Sequence, residues 1–334
     1  MPKRIIEMDI LRGMAILGVV IGHVAAETLY VEITFSGIFF NQAIRFAVPV
    51  FIFLSGMGLS LSQKTYPGYI RFVGQRLRKI IPLYCLWTAI YHFPLPFGSP
   101  TFTFRGYFKA LLTGDASYQL YFIPLIVQFY ILFPLLQRYF RSRIGVLFSF
   151  FITLALQIAH VYFPKSLWFL GDQRFFLNWI FFFVLGIWCA PRITALQRRL
   201  LSEKPAIFIS FLLCLAGLLI EAKTNLSAGK SLELSLSNMR PSVILYSLVF
   251  GALILSGVSW PRILASFFRF LSGISYEIFL VHVFVLVEFN ALFALSKTAS
   301  TYGFFAFLVV LTFSIMIVLV QRYLLRSIPR LFLP

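Results

Sequence analysis

Charge is what this sequence has least of. Asp, Glu, Lys and Arg make up 12% of its 334 residues, where a soluble domain carries about 25% to wet its surface. Half that share leaves a water-facing surface of normal size uncovered, which excludes a soluble enzyme and a disordered regulator. Cysteine is scarce as well: Cys85, Cys189 and Cys214 lie in apolar stretches without Cys-x-x-Cys spacing and read as small hydrophobes, not as a disulfide framework. The four histidines are scattered without ligand spacing, so no metal is expected. No Gly-rich phosphate loop and no Gly-x-Ser-x-Gly elbow occurs. Apolar residues are what remains: 60% of the chain is hydrophobic, with 41 Phe and 15 Tyr, and the mean hydropathy is +0.90. That composition predicts a polytopic membrane protein.

A spanning helix needs about 20 mostly apolar residues. Ten candidate runs are visible, at 9–29, 36–62, 80–97, 119–137, 144–163, 175–190, 205–222, 241–259, 272–294 and 302–325. The sixth is short and the second contains an arginine. The first is too long for a cleavable signal and lacks a small-residue cleavage site. No stretch between the runs is long enough for a soluble domain. The expected fold is therefore an all-α polytopic membrane helix bundle of about ten transmembrane helices, with residues 1–334 forming one membrane-embedded domain.

The net charge of +18 would suggest a nucleic-acid partner in a soluble chain. No basic run is interleaved with aromatics on a polar face, so none is expected here. Counted by loop, 19 of the 29 basic residues fall on the side of the N-terminus and eight on the other, while Arg12 and Arg45 lie within spans. Basic loops stay inside. Both termini are expected in the cytoplasm, and the membrane is expected to be a bacterial plasma membrane.

Ionisable groups within spans cost roughly 2.5–3.5 kcal/mol on insertion scales, so each asks for a reason. Arg12 and His23 are eleven residues apart in the first span, which puts them on one helix face roughly 16 Å apart along the axis. Arg12 reads either as an anchor snorkelling to the interface beside Asp9 or as a functional cation. His23 is too short to snorkel and reads as a helix-packing hydrogen bonder or a reactive base. Arg45, near the middle of the second span, requires a polar cavity or an acidic partner. The ninth span holds Ser275, Tyr276, Glu277 and His282; Glu277 and His282 do not stack, so each is expected to find an interhelical partner. His92 and His160 are interfacial and receive no role. Arg76 to Lys79 form a basic cluster that topology alone explains, but that also suits a phosphorylated ligand.

Five segments together resemble the acyltransferase 3 family, integral-membrane enzymes that O-acylate bacterial surface and exported glycans. Asp9 to Ile16, continuing to His23, is similar to the family's opening. Val48-Pro49-Val50-Phe51-Ile52-Phe53-Leu54-Ser55-Gly56 is similar to its second-span motif. Arg76 to Tyr84 resembles its basic loop ending in Ile-x-Pro-x-Tyr. Gln128 to Leu135 matches its Gln-Phe-Tyr segment, and Gly273 to His282 its late Ser-Tyr…His motif. The segments occur in family order. The resemblance implies His23 as the catalytic histidine with Arg12 as its partner, and Arg76 as the first residue of an Arg-x-x-Arg motif. Lys79 stands at the second position, keeping the charge but losing the planar fork.

On that basis the expected activity is transfer of an acetyl group from cytoplasmic acetyl-CoA, a donor substrate and not a resident cofactor, to a glycan hydroxyl. Arg76, Lys79 and Tyr84 are expected at the donor, and Arg45, Gln128, Tyr276, Glu277 and His282 at the acceptor. Larger members append an extracytoplasmic domain that receives the acyl group; here a free acceptor or a separate extracytoplasmic protein would take its place. Two other readings stay open at this stage: a transporter or flippase for a glycan or lipid-linked sugar, and a structural subunit of a polysaccharide-export complex. No inverted repeat supports the transporter.

Overall fold

The computed structural model describes residues 5–62, 68–93, 102–163, 168–257, 260–293, 297 and 300–327. Lys3, Arg4, Lys64, Lys165 and Arg330 of the loop-charge count lie outside the described residues. Among the described residues there are fourteen α-helices and no strand. In chain order these are α1 (Ile6–Leu29), α2 (Phe35–Ala43), α3 (Ala47–Leu61), α4 (Tyr69–His92), α5 (Phe104–Thr113), α6 (Phe122–Tyr139) and α7 (Arg143–Tyr162). There follow α8 (Ile180–Cys189), α9 (Ile193–Ser202), α10 (Lys204–Ser227), α11 (Leu232–Ser235), α12 (Pro241–Leu255), α13 (Arg262–Leu292) and α14 (Ser300–Ser327).

Eight helices among the described residues are long and apolar enough to cross a membrane, counting α2 with α3 and α8 with α9 as single spans. The other two expected spans correspond to α4, whose first turns carry the basic cluster, and to α12, which has 15 residues. The polarity of α7 is inverted relative to a soluble helix. Ser149, Thr153 and Gln157, four apart on one face, are fully buried, whereas Ile144 is 79% and Phe151 61% exposed. A helix that hides its hydroxyls and amide while presenting phenyl rings outward is arranged for lipid. The buried face is not idle: Thr153 Oγ1 donates to the Leu177 carbonyl and accepts from the Phe181 amide.

The chain divides into two compact units, each made of two stretches of sequence: Met1–Gln63 with Leu135–Ser275, and Lys64–Pro134 with Tyr276–Pro334. In the first unit α3 packs against α8 through glycine on both sides. A Cβ at Gly56 would collide with the Phe183 carbonyl, and one at Gly186 with the Phe53 carbonyl. Small residues at such crossings let helix backbones approach in lipid, where no hydrophobic drive pulls helices together. Gly56 of the second-span motif is thus a packing residue.

The second span, expected as one run over 36–62, is broken at residues 44–46. The cause is Pro49. Its ring displaces the carbonyl four residues earlier, that of Arg45, and it has no N–H to return. Within the first turn of α3 that loss costs nothing, because those N–H groups have no intrahelical partner anyway. The chain therefore ends α2 at Ala43 and restarts at Ala47. The Tyr246 hydroxyl of α12 donates to the freed Ala43 carbonyl at 2.6 Å.

Candidate active site

In the first unit, α1 is continuous from Ile6 to Leu29, so Arg12 and His23 do share a face. Both are half-buried, while Ile16 and Val20 between them have no exposure. The two positions thus lie at opposite ends of an apolar strip, roughly 16 Å apart along the axis. Gly13, next to Arg12, is explained by packing: a Cβ there would lie 2.5 Å from the Phe268 carbonyl oxygen. One turn earlier, Asp9 Oδ1 accepts from Ser272 Oγ at 3.1 Å.

Arg45 occupies the break in the second span and is held by amides. Its Nη1 donates to Asn238 Oδ1 at 2.7 Å, and its Nη2 donates to Asn41 Oδ1. Asn41 Oδ1 also accepts from Gln42 Nε2 at 3.0 Å, and Gln42 Oε1 accepts from Arg240 Nη2. Arg240 is 1% exposed. Its Nε donates to the Ser237 carbonyl at 3.1 Å, and its Nη1 lies 3.3 Å from Glu221 Oε2 of α10, which also accepts from the Ser242 hydroxyl. The Arg240 guanidinium is charged in any setting. The result is a continuous chain of polar contacts, Glu221–Arg240–Gln42–Asn41–Arg45–Asn238, beside an interrupted span, a place where irregular backbone at membrane depth is tolerated.

In the second unit the basic segment is helical from Tyr69 onward, so Arg76 and Lys79 are i,i+3 neighbours on one face. The Arg76 guanidinium lies 5.7 Å from the centroid of the Phe72 ring, and Lys79 is exposed. Tyr84 is 2% exposed, and its hydroxyl donates to the Leu111 carbonyl of α5 at 2.9 Å. Gln128 Nε2 donates to the Pro124 carbonyl of its own helix at 3.2 Å. Tyr276 donates to the Ile80 carbonyl at 2.5 Å, one residue from Lys79. Glu277 has an interhelical partner, Arg322 of α14, whose Nε donates to its Oε1 at 2.9 Å. His282 is fully buried and bonds the Ile278 carbonyl through Nδ1 at 3.0 Å.

Among the described residues no group of three or more His, Cys, Asp or Glu side chains is placed to hold a metal ion. A family profile described as an acyltransferase domain matches residues 5–320. The chain belongs to the acyltransferase 3 family. Comparison with curated proteins and with solved structures gives no significant match.

Membership makes this protein a multi-pass membrane acyltransferase, and the transporter and structural-subunit readings give way to an enzyme. Within the acyltransferase, Arg12, His23 and Arg45 belong to one unit and Arg76, Lys79, Tyr84, Gln128, Tyr276, Glu277 and His282 to the other. Sequence reasoning missed Arg240 and Arg322 as partners, having counted both as loop charges. A signal existed for the first: Glu221 falls inside the 205–222 run, an intramembrane carboxylate that asks for a cation.

Proposed function

We propose that this acyltransferase moves an acetyl group from cytoplasmic acetyl-CoA to a hydroxyl of a cell-surface or exported glycan, working in a bacterial plasma membrane with both termini inside. The observation that carries the reading is His23, a half-buried imidazole well inside an apolar span at the family's histidine position. Acting as general base, it takes the proton from the acceptor hydroxyl as the oxygen attacks the thioester carbonyl; the C–S bond breaks and the thiolate leaves, recovering the proton. Acting as nucleophile, its ring nitrogen attacks the thioester carbonyl and expels the thiolate to form an acyl-imidazole; the acceptor oxygen then attacks that carbonyl, the C–N bond breaks, and the hydroxyl proton passes to the freed imidazole. Arg76 and Lys79 hold the donor's phosphates by charge-assisted hydrogen bonds. Arg12, at the family's arginine position on the same face of α1, serves the chemistry as the partner of His23. Arg45, Gln128, Tyr276, Glu277 and His282 serve the acceptor, which is free or presented by a separate extracytoplasmic protein.

Consumption of acetyl-CoA by the purified protein, with acetate appearing in alkali-labile glycan esters, tests the activity; unchanged thioester in the presence of envelope glycan sinks it. Arg76→Ala and Lys79→Ala are each expected to weaken acetyl-CoA binding by about 1–3 kcal/mol. Lys79→Arg should be tolerated, since it restores the family's residue. Unchanged donor affinity in both alanine variants, measured by titration, would reduce these residues to topology determinants.

Sidedness has its own test. In a background lacking the three native cysteines, a cysteine at Gln197 of α9 is expected to stay shielded from an impermeant external thiol reagent, and one at the exposed Ala228 to react in intact cells. The opposite labelling pattern would put the Arg76–Lys79 face on the wrong side for a cytoplasmic donor.

A further inference from the structure

The second unit contains a contact that its packing does not require. Tyr91 of α4 is 1% exposed, and its hydroxyl donates to the Leu280 carbonyl at 2.8 Å while accepting from the Phe284 amide at 2.9 Å. In an uninterrupted α-helix those two backbone groups pair with each other. The tyrosine therefore bridges one turn of α13, and His282 stands at the centre of that turn. Helix α13 runs uninterrupted through this turn, so the hydroxyl ties Leu280 and Phe284 to α4 without a break in the helix.

The surroundings hold Tyr91 firmly. Trp87, one turn earlier on α4, lies 6.0 Å from the Tyr91 ring and 5.7 Å from the Phe284 ring, centroid to centroid, and its indole donates to Gln321 of α14 at 3.3 Å. Phenylalanine at position 91 would fill the same space and remove both bonds of the hydroxyl to α13. A buried hydroxyl is retained instead, with its proton and one lone pair both engaged by the backbone around a histidine. On His282 itself, a carbonyl can only accept, so the Ile278 contact places a proton on Nδ1 and leaves Nε2 as the ring nitrogen on the other side.

We infer that Tyr91 is a positioning residue for His282: its hydroxyl, bridging Leu280 and Phe284, sets the turn from which the imidazole is presented to the acceptor. This rests on the reading of His282 as an acceptor-side group, and the test separates the two claims. Full-length protein labelled with ¹⁵N-histidine in lipid nanodiscs gives ring signals for four histidines, with that of His282 assigned by its loss in His282→Gln. In Tyr91→Phe the His282 signal is expected to move or split while those of His23 and His160 stay. An unchanged His282 signal overturns the inference.

The second arm measures acetyl transfer from acetyl-CoA into alkali-labile esters of native membranes. A misplacement of about 1 Å at a reacting group costs up to about 10²-fold, so Tyr91→Phe is expected to lose tenfold to a hundredfold. The double variant Tyr91→Phe/His282→Gln should be no slower than His282→Gln alone, because two residues that act as one unit do not add. Multiplicative losses mean a purely structural role and overturn the inference, as does a wild-type rate in His282→Gln. Wild-type membranes that transfer no acetyl group overturn the acetyl donor of the proposed function instead, and the His282 signal then decides the positioning claim alone.

Discussion

His23→Ala is expected to lower acyl transfer by about 10²–10⁴-fold, the range over which positioned acid–base groups act. An acyl-histidine mechanism would place the loss at or beyond the upper end, because the covalent route disappears altogether. The variant should fold. His23 is half-buried, and its immediate helical neighbours Val20 and Val24 supply the packing on α1. Interhelical hydrogen bonds in membranes average only about 0.6 kcal/mol, too little for their loss alone to explain inactivation. Expression, detergent-solubilised melting and acetyl-CoA affinity should stay near wild type, so the loss appears in turnover and not in donor binding. His23→Gln, which keeps a polar side chain without a titratable nitrogen, should be equally inactive. His282→Ala should cost less if that residue only orients the acceptor. A well-folded His23→Ala protein with near wild-type turnover would falsify the mechanism.

The helical membrane character was fully legible, because apolar run length is a local property of sequence. The break in the second span was legible in principle. Pro49 stands inside the second-span motif, and its ring dictates a new helix start at Ala47. Reading 36–62 as one run gave weight to hydropathy and none to the missing N–H. By charge the basic segment before Pro82 reads as a loop, yet it forms the first turns of α4, which is what makes Arg76 and Lys79 neighbours on a face. Partners were the least legible feature. Glu277 needed a cation and found Arg322, 45 residues on; Glu221 found Arg240, 19 residues on. No periodicity within a single helix encodes which of several loop cations a tertiary fold brings back to a carboxylate. The motif glycines carried a different message from the motif histidine: Gly13 and Gly56 mark close backbone crossings.

Arg240→Ala is expected to be the most damaging single change to stability, at about 3–5 kcal/mol, the cost of removing one partner from a buried ion pair. The loss does not stop at Glu221. Gln42 Oε1, fully buried, would lose its donor, and Gln42 in turn shares Asn41 Oδ1 with Arg45. Glu221 is less buried than Arg240, with 32% of its side chain exposed, so Glu221→Gln should cost less than the arginine deletion. Replacing both by methionine should recover part of the loss, because the desolvation of two charges disappears along with their attraction. Chemical unfolding of the detergent-solubilised variants reads these differences directly. A cost below about 1 kcal/mol for Arg240→Ala would mean that water reaches the guanidinium and that the network is not a buried one. The same variants probe function through Arg45, whose two amide partners hold it at the span break. Arg45→Gln should leave stability within about 1 kcal/mol and still lower acyl transfer. An Arg45→Gln enzyme that transfers at the wild-type rate would confine the whole chain of contacts to holding α2, α10 and α12 together.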